Sequence, residues 1–224
     1  MRALIVSNFY DADAGFVGER LRRHGYAFTE CHRERSAGWS DLAGHDLVLL
    51  LGSDWSVYWP HLEGEVAAEA ALIRAAHGAG VPVLGICYGS QISAHALGGS
   101  VRRASEPEIG WYQIESRLPT VIAPGPWFQW HSDVVDVPPG AEVLAHSAVG
   151  PQAWRIGRTM CTQFHPEVTE SIVRRWIDAG GAEEAVANGR DPGVLLDETR
   201  RSVGDSRPRA DVLVDWFLEQ VAGS

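Results

Sequence analysis

The sequence of 224 residues contains no lysine, so all 19 of its basic residues are arginines. This absence excludes a Schiff-base lysine and a lysine-dependent phosphate loop. The three cysteines, Cys31, Cys87 and Cys161, are widely spaced, and neither a disulfide framework nor a structural zinc site is indicated. The formal net charge is −10, which argues against nucleic acid as the main partner because phosphate binding requires clustered basic residues.

Long hydrophobic runs are also absent from the sequence. No apolar run approaches the roughly 20 residues that a membrane span needs, and the first residues lack a signal-peptide pattern. The hydrophobic fraction of 45% and the charged fraction of 21% are ordinary for a globular protein. We therefore expect a cytoplasmic protein without a membrane partner, folded as a single domain over residues 1–224.

The first half of the sequence alternates between strand-like and helical patterns. Near-continuous apolar runs at residues 2–7, 46–51 and 81–86 predict strands that are buried on both faces of a parallel sheet. Amphipathic stretches at residues 15–25 and 62–80 predict the helices between them. This alternation indicates βαβ units and an open, mostly parallel sheet flanked by helices.

The second half changes character after about residue 100. Short strand-like stretches (WYQIESRL, AEVLAHS, QAWRIG and TMCTQF) are separated by proline and glycine, which predicts a small antiparallel extension. Helical patterns return at residues 168–181 and 210–222, and the polar residues 188–209 between them form either a mobile loop or a surface helix. We treat the chain from about residue 180 as a C-terminal helical extension.

The segment GICYGSQ, residues 85–91, places Cys87 where a strand ends and a helix begins. The partial positive charge of a helix N-terminus favours a thiolate, and Gly85 and Gly89 allow a tight turn and keep side chains away from the sulfur. Open α/β sheets also bind ligands at the carboxyl ends of their strands. The pattern alone leaves a buried structural cysteine about equally open.

The segment QFHPEVT, residues 163–169, adds an imidazole and a carboxylate two residues apart. A nucleophilic cysteine needs a base, and the base needs a partner that holds its tautomer and orientation. His165 and Glu167 fit these two needs. Taken alone, the segment is better read as the start of a helix, with Pro166 and Glu167 in the first turn.

Together, GICYGSQ and QFHPE resemble the class I (triad) glutamine amidotransferase family, and the resemblance extends over most of the chain. This resemblance implies a flavodoxin-like fold and hydrolysis of the glutamine side-chain amide through a γ-glutamyl thioester, with release of ammonia. It implies that Cys87 is the nucleophile, His165 the acid–base group and Glu167 its orienting partner. It implies no metal and no organic cofactor.

The resemblance also implies an oxyanion hole. The segment GSDWSVY, residues 52–58, stands where the family usually carries a Gly-Gly-Pro type loop. By this resemblance, the N–H of Ser53 (or Gly52) and the N–H of Tyr88 hold the oxyanion. Because Ser-Asp replaces Gly-Pro, the sequence leaves open whether this loop is formed at rest.

Substrate contacts are implied at Gln91 and at His131, Ser132 and Asp133. Gln91 is also readable as a surface polar residue of a helix. His131 and Asp133 are also readable as metal ligands, but two groups without a third make a weak metal site. Trp55, Tyr58 and Trp59 either pack within their loop or wall a pocket for an amine or acyl group bulkier than ammonia.

The segment EPEIGWYQI, residues 106–114, is typical of GMP synthase-type amidotransferase domains and of stand-alone γ-glutamyl peptidases. Two enzyme functions therefore stay open. One is a glutaminase that supplies ammonia from L-glutamine to a separate synthase, and the other is an independent hydrolase or peptidase of γ-glutamyl amides. A catalytically silent binding or regulatory module is the third hypothesis, which the intact Cys87, His165 and Glu167 argue against.

Overall fold

The computed structural model describes residues 1–39 and 42–223, with the side chains of residues 37 and 38 excepted. The strands are β1 (Arg2–Ser7), β2 (Ala27–His32), β3 (Leu47–Leu50), β4 (Val83–Ile86), β5 (Ser100–Tyr112), β6 (Glu115–Ser116), β7 (Trp127–Asp136), β8 (Glu142–His146), β9 (Pro151–Ile156) and β10 (Thr159–Thr162). The α-helices are α1 (Gly15–Arg23), α2 (Glu63–Ala79), α3 (Tyr88–Ala96), α4 (Glu170–Trp176), α5 (Ala182–Ala187) and α6 (Pro192–Trp216).

Eight strands form one sheet in the order β2-β1-β3-β4-β10-β9-β8-β6. The five strands from β2 to β10 run parallel to one another. Every residue of β3, β4 and β10 is buried, as expected for strands that are covered by helices on both faces. The three predicted strands are confirmed, although β3 and β4 are shorter than the apolar runs that predicted them.

The antiparallel part of the fold differs in detail from the prediction. Strands β9, β8 and β6 continue the large sheet in antiparallel order, whereas β5 and β7 form a separate two-stranded sheet. The segment TMCT was predicted within the antiparallel extension, but β10 pairs in parallel with β4 and in antiparallel with β9. It is the junction between the two parts of the sheet. The open, mostly parallel sheet flanked by helices is confirmed.

The C-terminal segment is helical and packs on the sheet. Helix α6 has 25 residues and begins at an Asp191 cap, so most of the polar stretch at 188–209 is helix and not loop. Leu213 and Val214 of this helix are fully buried in the same core cluster as Ile5 and Leu49. None of the helices in the described part of the chain is long and apolar enough to cross a membrane.

Candidate active site

Cys87 occupies a strained turn between β4 and α3. Its backbone has φ 52° and ψ −106°, and it is the only described residue other than glycine with positive φ. Such a conformation costs about 1–3 kcal/mol and is concentrated at functional sites. The turn is fixed by a hydrogen bond from the Cys87 N–H to the Thr162 carbonyl (2.8 Å), and the Cys87 carbonyl accepts from the N–H of Ser90 and Gln91. The cysteine is thereby held at the N-terminus of α3.

Gly85 and Gly89 serve close packing of this turn. A methyl group on Gly85 would lie 2.6 Å from the carbonyl oxygen of Gly89, and one on Gly89 would lie 2.3 Å from the carbonyl oxygen of Leu50. Either contact is too short, so α3 would have to move away from β3 and β4. The two glycines are therefore needed for the approach of helix to strand, where the sequence suggested clearance around the sulfur.

His165 and Glu167 lie next to each other below the surface. The Nδ1 atom of His165 is 2.7 Å from Oε1 of Glu167, and both side chains are buried. Burial alone would lower the pKa of His165, but the Glu167 carboxylate and the neighbouring Cys87 outweigh it and raise that pKa from 6.5 to about 10. The ring is also packed edge-on against Trp176, with centroids 4.9 Å apart. A protonated imidazole is therefore the favoured form near neutral pH.

The structure brings Cys87 to this pair. A methyl group on Gly52 would lie 3.1 Å from Cε1 of His165 and 3.7 Å from Cβ of Cys87, so all three residues meet at one point. Nε2 of His165 is buried without a well-formed hydrogen bond among the described residues, and Cys87 acts on the ring by charge and by hydrogen bonding. A cysteine sulfur, an imidazole and a carboxylate in this order can perform nucleophilic and acid–base chemistry.

Two residues without a predicted role contact the sulfur of Cys87. Nε2 of Gln163 donates to it over 3.5 Å, and the carbonyl oxygen of Trp130 lies 3.8 Å away. Gln163 is the first residue of the segment QFHPE, two residues before His165. This closeness to the histidine is the feature of the sequence that could have pointed to it. The sulfur is therefore contacted by one amide N–H group and one carbonyl oxygen.

The loop after β3 borders both Cys87 and His165, because its Gly52 approaches the two side chains closely. Gly52 and Ser53 line the same cavity as Cys87, and Tyr88 is the first residue of α3, so its N–H has no partner inside the helix. The Ser53 hydroxyl accepts from the N–H of Trp55 over 3.1 Å, which closes the loop. Arg33, which the sequence did not single out, is fully buried beneath the loop and donates to the carbonyls of Leu51 and Gly52.

The four residues with implied substrate contacts all line the cavity but differ in availability. Gln91 is only 3% exposed, so its reading as a surface residue is wrong. The buried Oγ of Ser132 has no hydrogen-bond partner among the described residues. By contrast, the Asp133 carboxylate accepts from the hydroxyls of Ser56 and Tyr58.

His131 is the fourth of these residues, and both of its ring nitrogens face groups of the protein. Nδ1 lies 3.0 Å from the carbonyl oxygen of Asp133, and Nε2 lies 3.0 Å from the carboxylate of Glu108. No group of three or more possible metal ligands occurs in residues 1–39 and 42–223.

The cavity has a volume of about 650 Å³ and opens above Cys87 and His165. Its walls are strongly aromatic, with contributions from Tyr10, Trp55, Trp59, Trp130 and Trp176. Trp55 and Trp59 were predicted either as walls or as loop packing, and they line the cavity. The third residue of that set, Tyr58, instead donates to Asp133 over 2.7 Å.

Trp176 combines a packing role with a place in the site. The helical pattern around it predicted packing, and it does contact Phe128 and Trp130. Its Nε1 donates to the Asp11 carboxylate over 2.6 Å, and burial is the main cause that raises the pKa of Asp11. Asp11 and Trp176 come from distant parts of the chain, so nothing in the sequence pattern pointed to their contact.

Known proteins share sequence and fold with this chain. The family model for class-I glutamine amidotransferases matches residues 57–175, more than half of the chain. The GMP synthase [glutamine-hydrolyzing] of Aeropyrum pernix is 34% identical over 174 residues, which cover 71% of this chain and 32% of that protein. The enzyme of the same name from Aquifex aeolicus is 29% identical over 92% of this chain and 42% of its own length. The chain thus spans about a third to two fifths of these relatives.

A solved structure of a glutamine amidotransferase from Thermotoga maritima superposes with a TM-score of 0.86 at 28% identity, covering 98% of this chain and 99% of that one. A glutamine amidotransferase from Methylobacillus flagellatus gives a TM-score of 0.84 at 21% identity, covering 98% and 94%, which supports the fold alone. With the family match over more than half its length and this shared fold, the chain belongs to the class-I glutamine amidotransferase family.

Proposed function

We propose that the chain hydrolyses the side-chain amide of L-glutamine through a thioester on Cys87. The observation that carries this proposal is the strained turn that presents Cys87 beside the His165–Glu167 pair at the carboxyl ends of β4 and β10. Two hydrogen-bonded ionisable groups next to a nucleophile on a tight strand–helix turn are the arrangement that acyl transfer needs.

The reaction then proceeds in two halves. The Cys87 thiolate attacks the γ-carbonyl carbon, and the N–H groups of Tyr88 and Ser53 (or Gly52) hold the resulting oxyanion. As the C–N bond breaks, the His165 imidazolium gives its proton to the departing amine and leaves a γ-glutamyl thioester. Neutral His165 next takes a proton from water, which attacks the thioester and releases glutamate and the Cys87 thiolate. Glu167 fixes the ring orientation throughout.

The amino-acid end of the substrate is assigned to the far side of the cavity. Gln91 and the unpartnered hydroxyl of Ser132 are available to it, and the backbone of residues 131–133 offers further polar groups. The ladder between β5 and β7 changes register between Arg103 and Glu108, so Ser132 has no paired residue, whereas its neighbours His131 and Asp133 are paired with Glu108 and Arg103. His131 and Asp133 contribute to binding by holding that backbone in place.

The destination of the ammonia is suggested by the relatives. The relatives from Aeropyrum pernix and Aquifex aeolicus are named glutamine-hydrolyzing GMP synthases, and this chain matches about a third to two fifths of their length. We therefore infer that a synthase accepts the ammonia. This synthase is either a separate partner protein or a region of the protein outside the segment that matches these relatives. GMP synthesis is the first acceptor reaction to test.

The cavity favours a second candidate, which is hydrolysis of larger γ-glutamyl amides. A volume of about 650 Å³ exceeds what glutamine needs, and five aromatic side chains line it. An aromatic wall of this kind suits a leaving amine with a flat or aliphatic body. The same thioester chemistry serves both substrates, so the two candidates differ only in the leaving group.

The test is glutamate release by the isolated chain from L-glutamine and, in parallel, from γ-glutamyl anilide. Cys87→Ala is expected to abolish both reactions while the fold is retained, and Cys31→Ala is the matched control with normal turnover. A higher kcat/KM for glutamine supports the first candidate, and a higher kcat/KM for the anilide supports the second. Turnover that survives Cys87→Ala, or its absence from the wild type with both substrates, would contradict the proposal.

A further inference from the structure

Arg33 is a fully buried arginine whose guanidinium uses all of its N–H groups. It forms a two-pronged ion pair with Glu69, with Nε–Oε2 at 2.9 Å and Nη2–Oε1 at 3.1 Å. Its remaining donors reach the carbonyl of Leu51 (2.8 Å), the carbonyl of Gly52 (3.0 Å) and Oδ1 of Asn8 (3.1 Å). Burying a charge this deeply is costly without such partners.

These contacts connect the ends of three neighbouring strands. Arg33 follows β2, Asn8 follows β1, and Leu51 and Gly52 follow β3. The guanidinium also lies over the ring of Tyr88, with its central carbon 4.7 Å from the ring centroid. One side chain therefore touches the loop after β3 and the first residue of α3, which are the two segments that border Cys87.

The contact with Gly52 determines the direction of the next peptide N–H. Peptide bonds are planar and trans, so the N–H of Ser53 points opposite to the carbonyl of Gly52. The Gly52 carbonyl points toward Arg33 and accepts a hydrogen bond from it. Gly52, Ser53 and Cys87 line the cavity, whereas Arg33 does not. The N–H of Ser53 consequently points away from Arg33, and Ser53 itself lines the cavity.

We propose that Arg33 is a positioning residue that holds the Gly52–Ser53 peptide in the orientation in which its N–H serves as an oxyanion donor. This inference rests on the proposed thioester chemistry and adds that the hole is formed at rest, although Ser-Asp replaces the usual Gly-Pro. Glu69 neutralises the arginine and fixes its plane. Without the guanidinium, the Gly52 carbonyl loses its donor and rotates toward water in the cavity, which removes the Ser53 N–H from the oxyanion.

The test uses Arg33→Met combined with Glu69→Leu, which removes both charges so that neither is left buried alone. We expect kcat to fall by about 100- to 1,000-fold, the usual cost of one oxyanion donor, with little change in KM. In the alkylation of Cys87 by iodoacetamide, the sulfur attacks a tetrahedral carbon and no oxyanion forms. The alkylation rate of the variant is therefore expected to stay within about threefold of the wild-type rate. A crystal structure of the variant is expected to show the Gly52 carbonyl turned toward the cavity.

Two further variants serve as controls. Arg20→Met with Asp215→Leu removes a two-pronged pair between α1 and α6 and should leave kcat unchanged. Arg33→Lys keeps the charge opposite Glu69 but not the fork, so it should lower kcat in the same direction even if the double variant does not fold.

Normal kcat in the Arg33 variants, an unmoved Gly52 carbonyl, or an equal fall in turnover and alkylation would each overturn the assignment. Failure of the proposed function has a different signature, because it appears in the wild type as absent Cys87-dependent turnover. The position of the Gly52 carbonyl reports on Arg33 in either case.

Discussion

The cysteines show how local environment separates reactive from inert side chains. Cys87 and Cys161 are both buried, and they lie on or next to adjacent strands β4 and β10. Burial raises the pKa of the Cys161 thiol to about 12, which keeps it neutral. Cys87 instead faces an imidazolium and the amide of Gln163 at the end of its strand. Burial alone therefore does not decide which cysteine can act as a nucleophile.

The raised pKa of His165 gives a prediction for Glu167→Gln. The carboxylate is the main group that raises this pKa to about 10, so its removal lets burial lower the pKa again. The imidazolium is then lost at lower pH, and the alkaline limb of kcat/KM is expected to move from near pH 10 to lower values. The factor by which kcat falls in Glu167→Gln should be about 10- to 100-fold smaller than the factor for His165→Ala. The reason is that Glu167 only orients the ring, whereas His165 itself transfers the proton.

A pH profile of each variant from pH 6 to 11 measures both effects. Glu170→Gln, which removes an exposed carboxylate from α4, is the matched control and should leave the profile unchanged. An unchanged alkaline limb in Glu167→Gln would show that the limb belongs to another group. Equal losses in the two triad variants would show that Glu167 does more than orient the ring.

At the scale of elements, the close approach of α3 to β3 determines where Cys87 stands. Gly89→Ala is expected to push the helix away, because its methyl group would lie 2.3 Å from a backbone oxygen that cannot rotate aside. We expect a loss of about 1–3 kcal/mol in the free energy of unfolding, typical of overpacking, together with a fall in kcat. Denaturant titration and steady-state kinetics on the same preparation measure the two.

Gly78→Ala provides the comparison for this variant. Gly78 lies in α2 with open space where its methyl group would be, so alanine should stabilise the helix by about 0.5–1 kcal/mol and leave kcat alone. If Gly89→Ala kept both its stability and its turnover, the packing explanation for this glycine would be wrong.

The elements that the sequence predicted well share one physical property. Strands β1, β3 and β4 are buried on both faces, so each appears as a continuous apolar run. For residues 188–209 the sequence left a mobile loop and a surface helix both open, although Asp191 and Pro192 form a regular cap and first turn of α6. Its polar sequence and the internal Pro208 obscured the helix, which is held by tertiary packing of a narrow apolar face.

The site residues also differ in whether a local sequence pattern indicates them. Cys87, His165 and Glu167 could be proposed from the sequence because two short segments, residues 85–91 and 163–169, carry them. Arg33 and Glu69 were not found, since a buried ion pair between residues 36 positions apart depends on the packing of α2 against the end of β2. A sequence in which Arg33 is followed by Glu34 and Arg35 is typical of an exposed charged turn, and only the fold distinguishes the buried member.

At the scale of the whole molecule, the C-terminal segment from about residue 180 either folds together with the sheet or unfolds separately from it. Leu213 is fully buried in the core cluster that includes strands β1 and β3, and Arg20 of α1 is paired with Asp215 of α6. Gly180, Gly181 and Glu184 also line the cavity. We propose that residues 1–224 fold as one cooperative unit in which this segment is an integral layer.

Leu213→Ala tests this proposal. It should lower the free energy of unfolding by about 2–5 kcal/mol, as for other buried leucines, while Val212→Ala, at a residue that is 44% exposed, should change it by less than about 0.5 kcal/mol. Helix loss by circular dichroism and alkylation of Cys161, at the centre of the sheet, should follow the same denaturant transition. If α6 melted first while Cys161 stayed protected, the segment would be a separable extension, because the sheet would then keep its packing without the side chains of Leu213 and Val214.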